Sequence, residues 1–412
     1  VYVFLYTSHR KTYLARDILG VKPVFYDSMR FSFASERKVL EKLGYRNVEE
    51  LNPRKILVYD HDEEKIEFIE REFFSHLPEK KDDENLKYET KELFIEAVRK
   101  RIPDCKTGVL LSGGVDSTAI LKTLKNLGKD VTCYTAGFYD EGTKEPEDIV
   151  YAKRVASEMG VDIRIKMMGK KDVEHYLKEV VPLIEDSNVV KVGVALPFFV
   201  ACEMARKEGV RVIFSGLGSE EIFAGYQRHK ESLDINKECV SGLLKMYERD
   251  LYRDDVVTMN NNIELRLPFL DKKLVEHSLK IPSRFKIEKE ADKKIFREAA
   301  LDIGVPDYVA FRKKRAAQYG SRFDNAIKKL AGKKSKSEYL KQFLRRPNLK
   351  LGALLSGGKD SCYAAWTMMK QNYEIGCFIT LKSKNEASWM FHTPNIDIAS
   401  MQADASDITI VV

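Results

Sequence analysis

No stretch of this chain is apolar for long enough to cross a bilayer. The longest such run, Val192 to Cys202, is interrupted by Pro197 and stops at Glu203, about half of the roughly 20 residues a spanning helix requires, so no membrane partner is expected. The opening residues carry no secretory signal pattern. Cysteine is sparse and scattered: Cys105, Cys133, Cys202, Cys239, Cys362 and Cys377 include no close pair. That spacing argues against both a zinc site and a disulfide framework and leads to the expectation of a reducing, cytoplasmic setting. The lysine-bearing loop Gly-x-x-x-x-Gly-Lys-Ser/Thr is absent too, which excludes the Walker type of nucleotide site. Nor does one charge dominate, since 70 Lys and Arg face 63 Asp and Glu for a formal net charge of +7. The excess is local: Lys328 to Lys350 holds nine Lys or Arg against the single Glu338, and we read it as a solvated basic linker, with an RNA or another acidic partner as the alternative.

What the chain does contain, twice, is Ser-Gly-Gly-x-Asp-Ser, at Ser112 to Ser117 and at Ser356 to Ser361. Each copy follows a short apolar run, Thr107 to Leu111 and Leu349 to Leu355, read as buried strands. Each precedes apolar residues at helical spacing, Thr118 to Leu127 and Cys362 to Met369. A strand-to-helix corner offers unpaired N–H groups and the positive end of a helix dipole to an anion. Its paired glycines let phosphate oxygens approach the backbone, its serines add hydroxyl donors, and its aspartate is a hard oxygen ligand for Mg²⁺. A single copy is compatible with an ordinary glycine-rich turn; two copies in matching context point to a pyrophosphate grip. The candidate nucleotide-binding residues are Leu111, Ser112, Gly113, Gly114, Asp116 and Ser117 in one corner and Ser356, Gly357, Gly358, Asp360 and Ser361 in the other.

Around these corners the pattern is α/β. Residues 1–72 alternate short β-rich segments (Val1–Tyr6, Thr12–Leu14, Val21–Tyr26, Phe31–Ala34, Ile56–Tyr59, Ile66–Ile69) with turns. Glu79 to Lys91 reads as a linker entering a helix that reaches about Lys100. From Thr107 strands (Val131–Phe138, Ile163–Met167, Val210–Phe214) alternate with helices (Glu147–Met159, Leu196–Lys207), which predicts a parallel sheet with ligands at the strands' carboxyl ends. Gly225 to Leu330 is expected to be mostly helical. Both ends of the chain lie in strand-like runs, and both are expected to continue into further sequence.

A second corner, Ser215-Gly216-Leu217-Gly218-Ser219-Glu220-Glu221, follows the Val210–Phe214 strand. Ser215, Gly216 and Gly218 are further candidate nucleotide contacts. Glu220 is a candidate to share one Mg²⁺ with Asp116. Taken with Ser112 to Ser117, the run Ser215 to Tyr226, then Glu264-Leu265-Arg266-Leu267-Pro268-Phe269-Leu270-Asp271 and Lys293-Lys294-Ile295-Phe296-Arg297-Glu298, the stretch from Lys91 to Leu330 resembles the synthetase domain of glutamine-dependent asparagine synthetases. The resemblance implies an N-type ATP pyrophosphatase fold and an ATP-dependent, amide-forming ligase that adenylates aspartate or a related acid. Residue by residue it implies phosphate contacts from Ser112, Gly113, Gly114 and Ser117, metal ligation by Asp116 and Glu220, and catalytic roles for Lys293 at the leaving pyrophosphate and Glu264 beside the substrate. Taken alone, Lys293 and Glu264 read better as solvated helix positions, by about two to one; only their place in the pattern of motifs reverses that. Two positions depart from the family pattern: Leu217 replaces an acidic residue and Gly193 an arginine, so the acceptor is open, with Lys191 as a candidate substitute for the arginine.

Residues 1–76 resemble the latter part of the same family's glutaminase domain through Leu14-Ala15-Arg16-Asp17-Ile18-Leu19-Gly20-Val21-Lys22-Pro23 and Phe33-Ala34-Ser35-Glu36. That domain uses an N-terminal cysteine, and no cysteine precedes Cys105 here; either residues upstream supply it or the protein uses free ammonia. Residues 349–412 resemble the opening of a diphthine–ammonia ligase through Leu354 to Ser361 and Asn385-Glu386-Ala387-Ser388-Trp389-Met390-Phe391-His392-Thr393-Pro394-Asn395. That likeness implies a second, truncated ATP-binding α/β unit and makes an elongation factor an expected partner; His392 receives no catalytic role. The expected divisions are therefore 1–76, a linker at 77–90, 91–330, a basic linker at 331–348, and 349–412.

Three readings follow. The first is an asparagine synthetase-type ligase using ATP, Mg²⁺, a small carboxylate and ammonia or glutamine, with a homodimer as the expected assembly. The second makes the diphthine–ammonia ligase the main activity and the synthetase-like part accessory. The third, a tRNA-modifying or RNA-binding protein on the same fold, is disfavoured by the few aromatics (Tyr339, Phe343) in the basic segment.

Overall fold

The computed structural model describes residues 1–74, 85–288, 291–313, 315–344, 346–385 and 396–412. The chain forms two compact units, Val1–Gly169 with Val194–Phe323, and Lys170–Gly193 with Asp324–Val412.

The first unit begins with strands β1 (Val3–Ser8), β2 (Lys11–Arg16), β3 (Phe25–Asp27), β4 (Ser32–Ala34), β5 (Val48–Glu50), β6 (Lys55–Asp60) and β7 (Lys65–Glu70). They make two antiparallel sheets, ordered β1-β2-β6-β7 and β4-β3-β5. Ser8 pairs with Lys11 across a two-residue turn in which His9 takes a φ of 53°, the left-handed geometry that two-residue hairpins require. Leu14 and Leu57 close the small core beneath.

A parallel sheet follows, built from β8 (Thr107–Leu110), β9 (Thr132–Phe138), β10 (Ile163–Met168), β11 (Val212–Phe214) and β12 (Glu264–Arg266), in the order β10-β9-β8-β11-β12. All four pairings are parallel, so the α/β architecture is as expected. Because β8 lies directly beside β11, the corners that follow them are neighbours. Phe94, Phe223, Phe269 and Phe296 are fully buried together, with the rings of Phe223 and Phe296 stacked at 5.0 Å. Burying each such ring is worth roughly 1.5–3 kcal/mol. This cluster holds helix Ser219–Phe223 against helix Lys294–Ile303, and with it the residues at their starts.

The second unit contains helices Lys170–Leu183 and Lys336–Lys341 and a parallel sheet of β13 (Lys350–Leu354), β14 (Glu374–Ile379) and β15 (Ile410–Val411). Two expectations are corrected here. Residues 331–348 are not simply a solvated linker, because Ser335 and Glu338 form a reciprocal capping box that starts a helix burying Leu340, satisfying two end donors at once. The strand before Ser356 is not buried either: β13 alternates exposed and half-buried positions, and Leu354 is 68% exposed. A third difference concerns Pro197. The helix expected from Leu196 starts at Val189 and runs through the proline to Lys207. No helix among the described residues is long and apolar enough to cross a membrane.

Candidate active site

The first corner is shaped by its glycines. Gly113 takes a φ of 68°, and a Cβ there would fall 2.5 Å from Tyr151 Cβ, so both conformation and space demand glycine. Gly114 then caps helix Val115–Asn126. The Ser117 hydroxyl accepts from the Ser112 N–H at 3.4 Å and donates to the Gly114 carbonyl at 3.3 Å. Leu111, buried at the strand's end, sets the chain's exit. The result is a rim of N–H and hydroxyl donors at the positive end of a 12-residue helix, suited to phosphate oxygens.

The second corner packs against the first. A Cβ on Gly216 would lie 2.8 Å from Asp116 Cβ, and Gly218 takes a φ of 100°. Ser215 and Ser219 are buried, and Leu217, with its N–H on the Ser215 hydroxyl at 3.4 Å, packs against the core.

Lys293 joins the two corners. Its side chain is fully buried, and its ammonium donates to Asp116 Oδ2 at 2.7 Å, Glu220 Oε1 at 2.7 Å and the Ser219 hydroxyl at 3.2 Å. Burial pulls its pKa below the ordinary lysine value, against the attraction of Asp116. Gly225 leaves the room for this junction, since a Cβ there would sit 1.7 Å from Glu220 Oε2. Behind it, the fully buried Glu221 accepts from Arg249 at 2.7 Å and from the Tyr226 hydroxyl at 3.0 Å; burial and Asp250 raise its pKa. Two carboxylates from different corners within reach of one ammonium form a hard oxygen donor set that fits Mg²⁺.

Other expected residues lie elsewhere. Glu264 is not brought to this junction. It opens β12 opposite Val212, whereas Ser215 follows the far end of β11, roughly 10 Å along the strand at about 3.3 Å per residue. Its carboxylate instead pairs with Lys22 at 2.8 Å, beside Asp255. Burial pushes Asp255 up to about 6 despite Lys22. Lys191, the candidate substitute at the Gly193 region, pairs with Asp186 at 2.8 Å inside the second unit. In the Ser356 to Ser361 corner, Asp360 is 92% exposed and pairs with the equally exposed Lys359. Residues 386–395, including His392, lie outside the described residues.

Sequence reasoning passed over Arg312. Its guanidinium donates to the Ser112 carbonyl at 3.0 Å and to Asp148 at 2.8 Å and covers the Tyr151 ring at 4.0 Å. It also lines a cavity of about 510 Å³ with Tyr308, Phe311 and Lys313. The only sequence signal was its place in the basic run Arg312 to Arg315.

A parallel sheet with two glycine corners on adjoining strand ends, bridged by a buried lysine between carboxylates, is a candidate site for a polyphosphate. The asparagine synthase family model matches residues 89–235 and 230–349, and the chain belongs to that family. The diphthamide synthase N-terminal domain model matches residues 349–412. A Methanocaldococcus jannaschii protein assigned as a glutamine-hydrolysing asparagine synthetase is 34% identical over 395 residues, covering 81% of this chain and 72% of that one. The glutamine-hydrolysing asparagine synthetases of Gallus gallus and Homo sapiens are 27% and 28% identical. Each alignment covers 77% of this chain, which spans 63% of each of those proteins. Among solved structures, the NMN synthetase from Francisella tularensis aligns with a TM-score of 0.31 and 13% identity, over 66% of this chain and 92% of that one.

Proposed function

We propose that this protein is an ATP-dependent carbon–nitrogen ligase of asparagine synthetase type. A carboxylate oxygen of the acceptor attacks the α-phosphorus of ATP, the bond to the β-phosphate oxygen breaks, and pyrophosphate leaves with the electron pair. Ammonia then attacks the acyl carbon, AMP departs, and the nitrogen sheds a proton to give the amide. The observation that carries this reading is the Lys293 ammonium, buried between Asp116 and Glu220 at 2.7 Å from each.

In this reading Ser112, Gly113, Gly114 and Ser117 grip the outer phosphates, with Leu111 behind them, and Ser215, Gly216 and Gly218 face them from the adjoining strand. Asp116 and Glu220 would hold Mg²⁺, which supplies positive charge against the phosphate oxygens. Lys293 places a fixed positive charge where negative charge grows on the departing pyrophosphate, the kind of preorganised stabilisation that is strongest away from water. The acceptor is aspartate or a related acid, and Leu217 makes the second corner less acidic than the family pattern implies.

The test supplies carboxylate-¹⁸O acceptors with ATP, Mg²⁺ and ammonia. Attack by the carboxylate delivers one ¹⁸O to AMP, and aspartate gives the fastest transfer. Unlabelled AMP with every acid would overturn the reaction, and labelling only with another acid would change the acceptor and keep the chemistry.

A further inference from the structure

Lys293 reaches its partners from a left-handed backbone, with a φ of 52° at the residue before helix Lys294–Ile303. That conformation is unfavourable for any residue with a Cβ and persists only where surrounding structure enforces it. The enforcement is visible. Arg297, one turn along the helix and 6% exposed, donates from Nε to the Asp292 carbonyl at 2.7 Å and pairs through Nη2 with the Asp292 carboxylate. Its Nη1 donates to the carbonyls of Ala310 and Arg312. Arg312 continues the chain of contacts: its side chain is 6% exposed, it holds the Ser112 carbonyl and Asp148, and it lies on the Tyr151 ring. Tyr151 is the residue against which Gly113 is pressed.

We propose that Arg297 and Arg312 act as linked positioning residues that set the Lys293 ammonium against the Ser112 corner and so align it with the departing pyrophosphate. The proposal rests on the adenylation reading above. Arg297 acts through backbone carbonyls and the Asp292 carboxylate, and Arg312 through the Ser112 carbonyl and the carboxylates of Asp148 and Glu147. Such a task needs the planar guanidinium, which presents several donors in fixed directions, whereas a lysine keeps the charge and loses the geometry.

Arg297→Lys and Arg312→Lys in the full chain test this. The expected result is folded protein with pyrophosphate release slowed at least tenfold in kcat, KM for ATP within about twofold of the parent, and no recovery at higher ATP. A displacement of about 1 Å is enough for effects of this size. Asp148→Asn, which weakens one anchor of Arg312, gives a smaller fall of the same kind. Parental kcat in both lysine variants, or a loss that merely tracks the unfolded fraction, would overturn the proposal. Crystal structures of Arg297→Lys and the parent separate this from the function itself. Lys293 leaves the left-handed region in the variant if the proposal holds, and an unmoved Lys293 refutes it whatever reaction the protein performs.

Discussion

The two Ser-Gly-Gly-x-Asp-Ser corners fold alike and end in different surroundings. Gly113 and Gly357 take φ of 68° and 76°, and a Cβ on either would come 2.5 Å from a side-chain carbon, of Tyr151 in one case and of Ile398 in the other. Gly114 and Gly358 cap their helices with φ of −85° and −81°. The serine hydroxyls pair at 3.4 Å and 3.2 Å. Yet Asp116 meets a fully buried lysine from 177 residues away, while Asp360 meets its exposed neighbour Lys359. The hexapeptide thus encodes the shape of the loop, and distant residues decide the surroundings of each copy.

Removing the distant residue should make the corners alike, and it is the largest effect we expect. Lys293→Ala slows pyrophosphate release by roughly 10²–10³. It also destabilises the fold by about 3–5 kcal/mol, because Asp116 and Glu220 lose the cation between them. Lys359→Ala, the matching change in the second unit, leaves both the rate and the denaturation curve where they were. Steady-state kinetics and urea unfolding on the pair measure the contrast.

A smaller effect belongs to the first unit and depends on pH. Burial in the first unit depresses the His229 imidazole from its ordinary value near 6.5 to about 4. The folded state therefore resists a proton that the unfolded chain accepts. His229 contributes stability that is present above about 6.5 and is lost as the pH falls toward about 4. His229→Gln should flatten the unfolding midpoint across that window.

Both corners were legible because their conformation is local: two glycines between a strand and a helix leave little choice. Lys293 was legible only through the order of motifs along the chain, since neither its burial nor its left-handed backbone has a periodic signature. The surroundings of Glu264 were hard to read for a related reason. Strand β12 is three residues long, and its register is set by pairing with β11, a non-local contact invisible in composition. The basic segment offered a signal that charge counting hid, the Ser335-x-x-Glu338 box that starts a helix. Arg297 stood in a quoted motif, but its bonds to the carbonyls of Asp292, Ala310 and Arg312, like that of Arg312 to the Ser112 carbonyl, leave no trace in sequence.

The central claim is that the first corner, completed by Lys293, splits ATP between its α- and β-phosphates. The direct measurement is phosphorus NMR of the products formed from Mg-ATP, aspartate and ammonia by the parent, Asp116→Ala and Asp360→Ala proteins. The account predicts AMP and pyrophosphate in equal amounts from the parent and from Asp360→Ala, and neither from Asp116→Ala. ADP and phosphate as products, or activity that disappears with Asp360 and survives without Asp116, would contradict it.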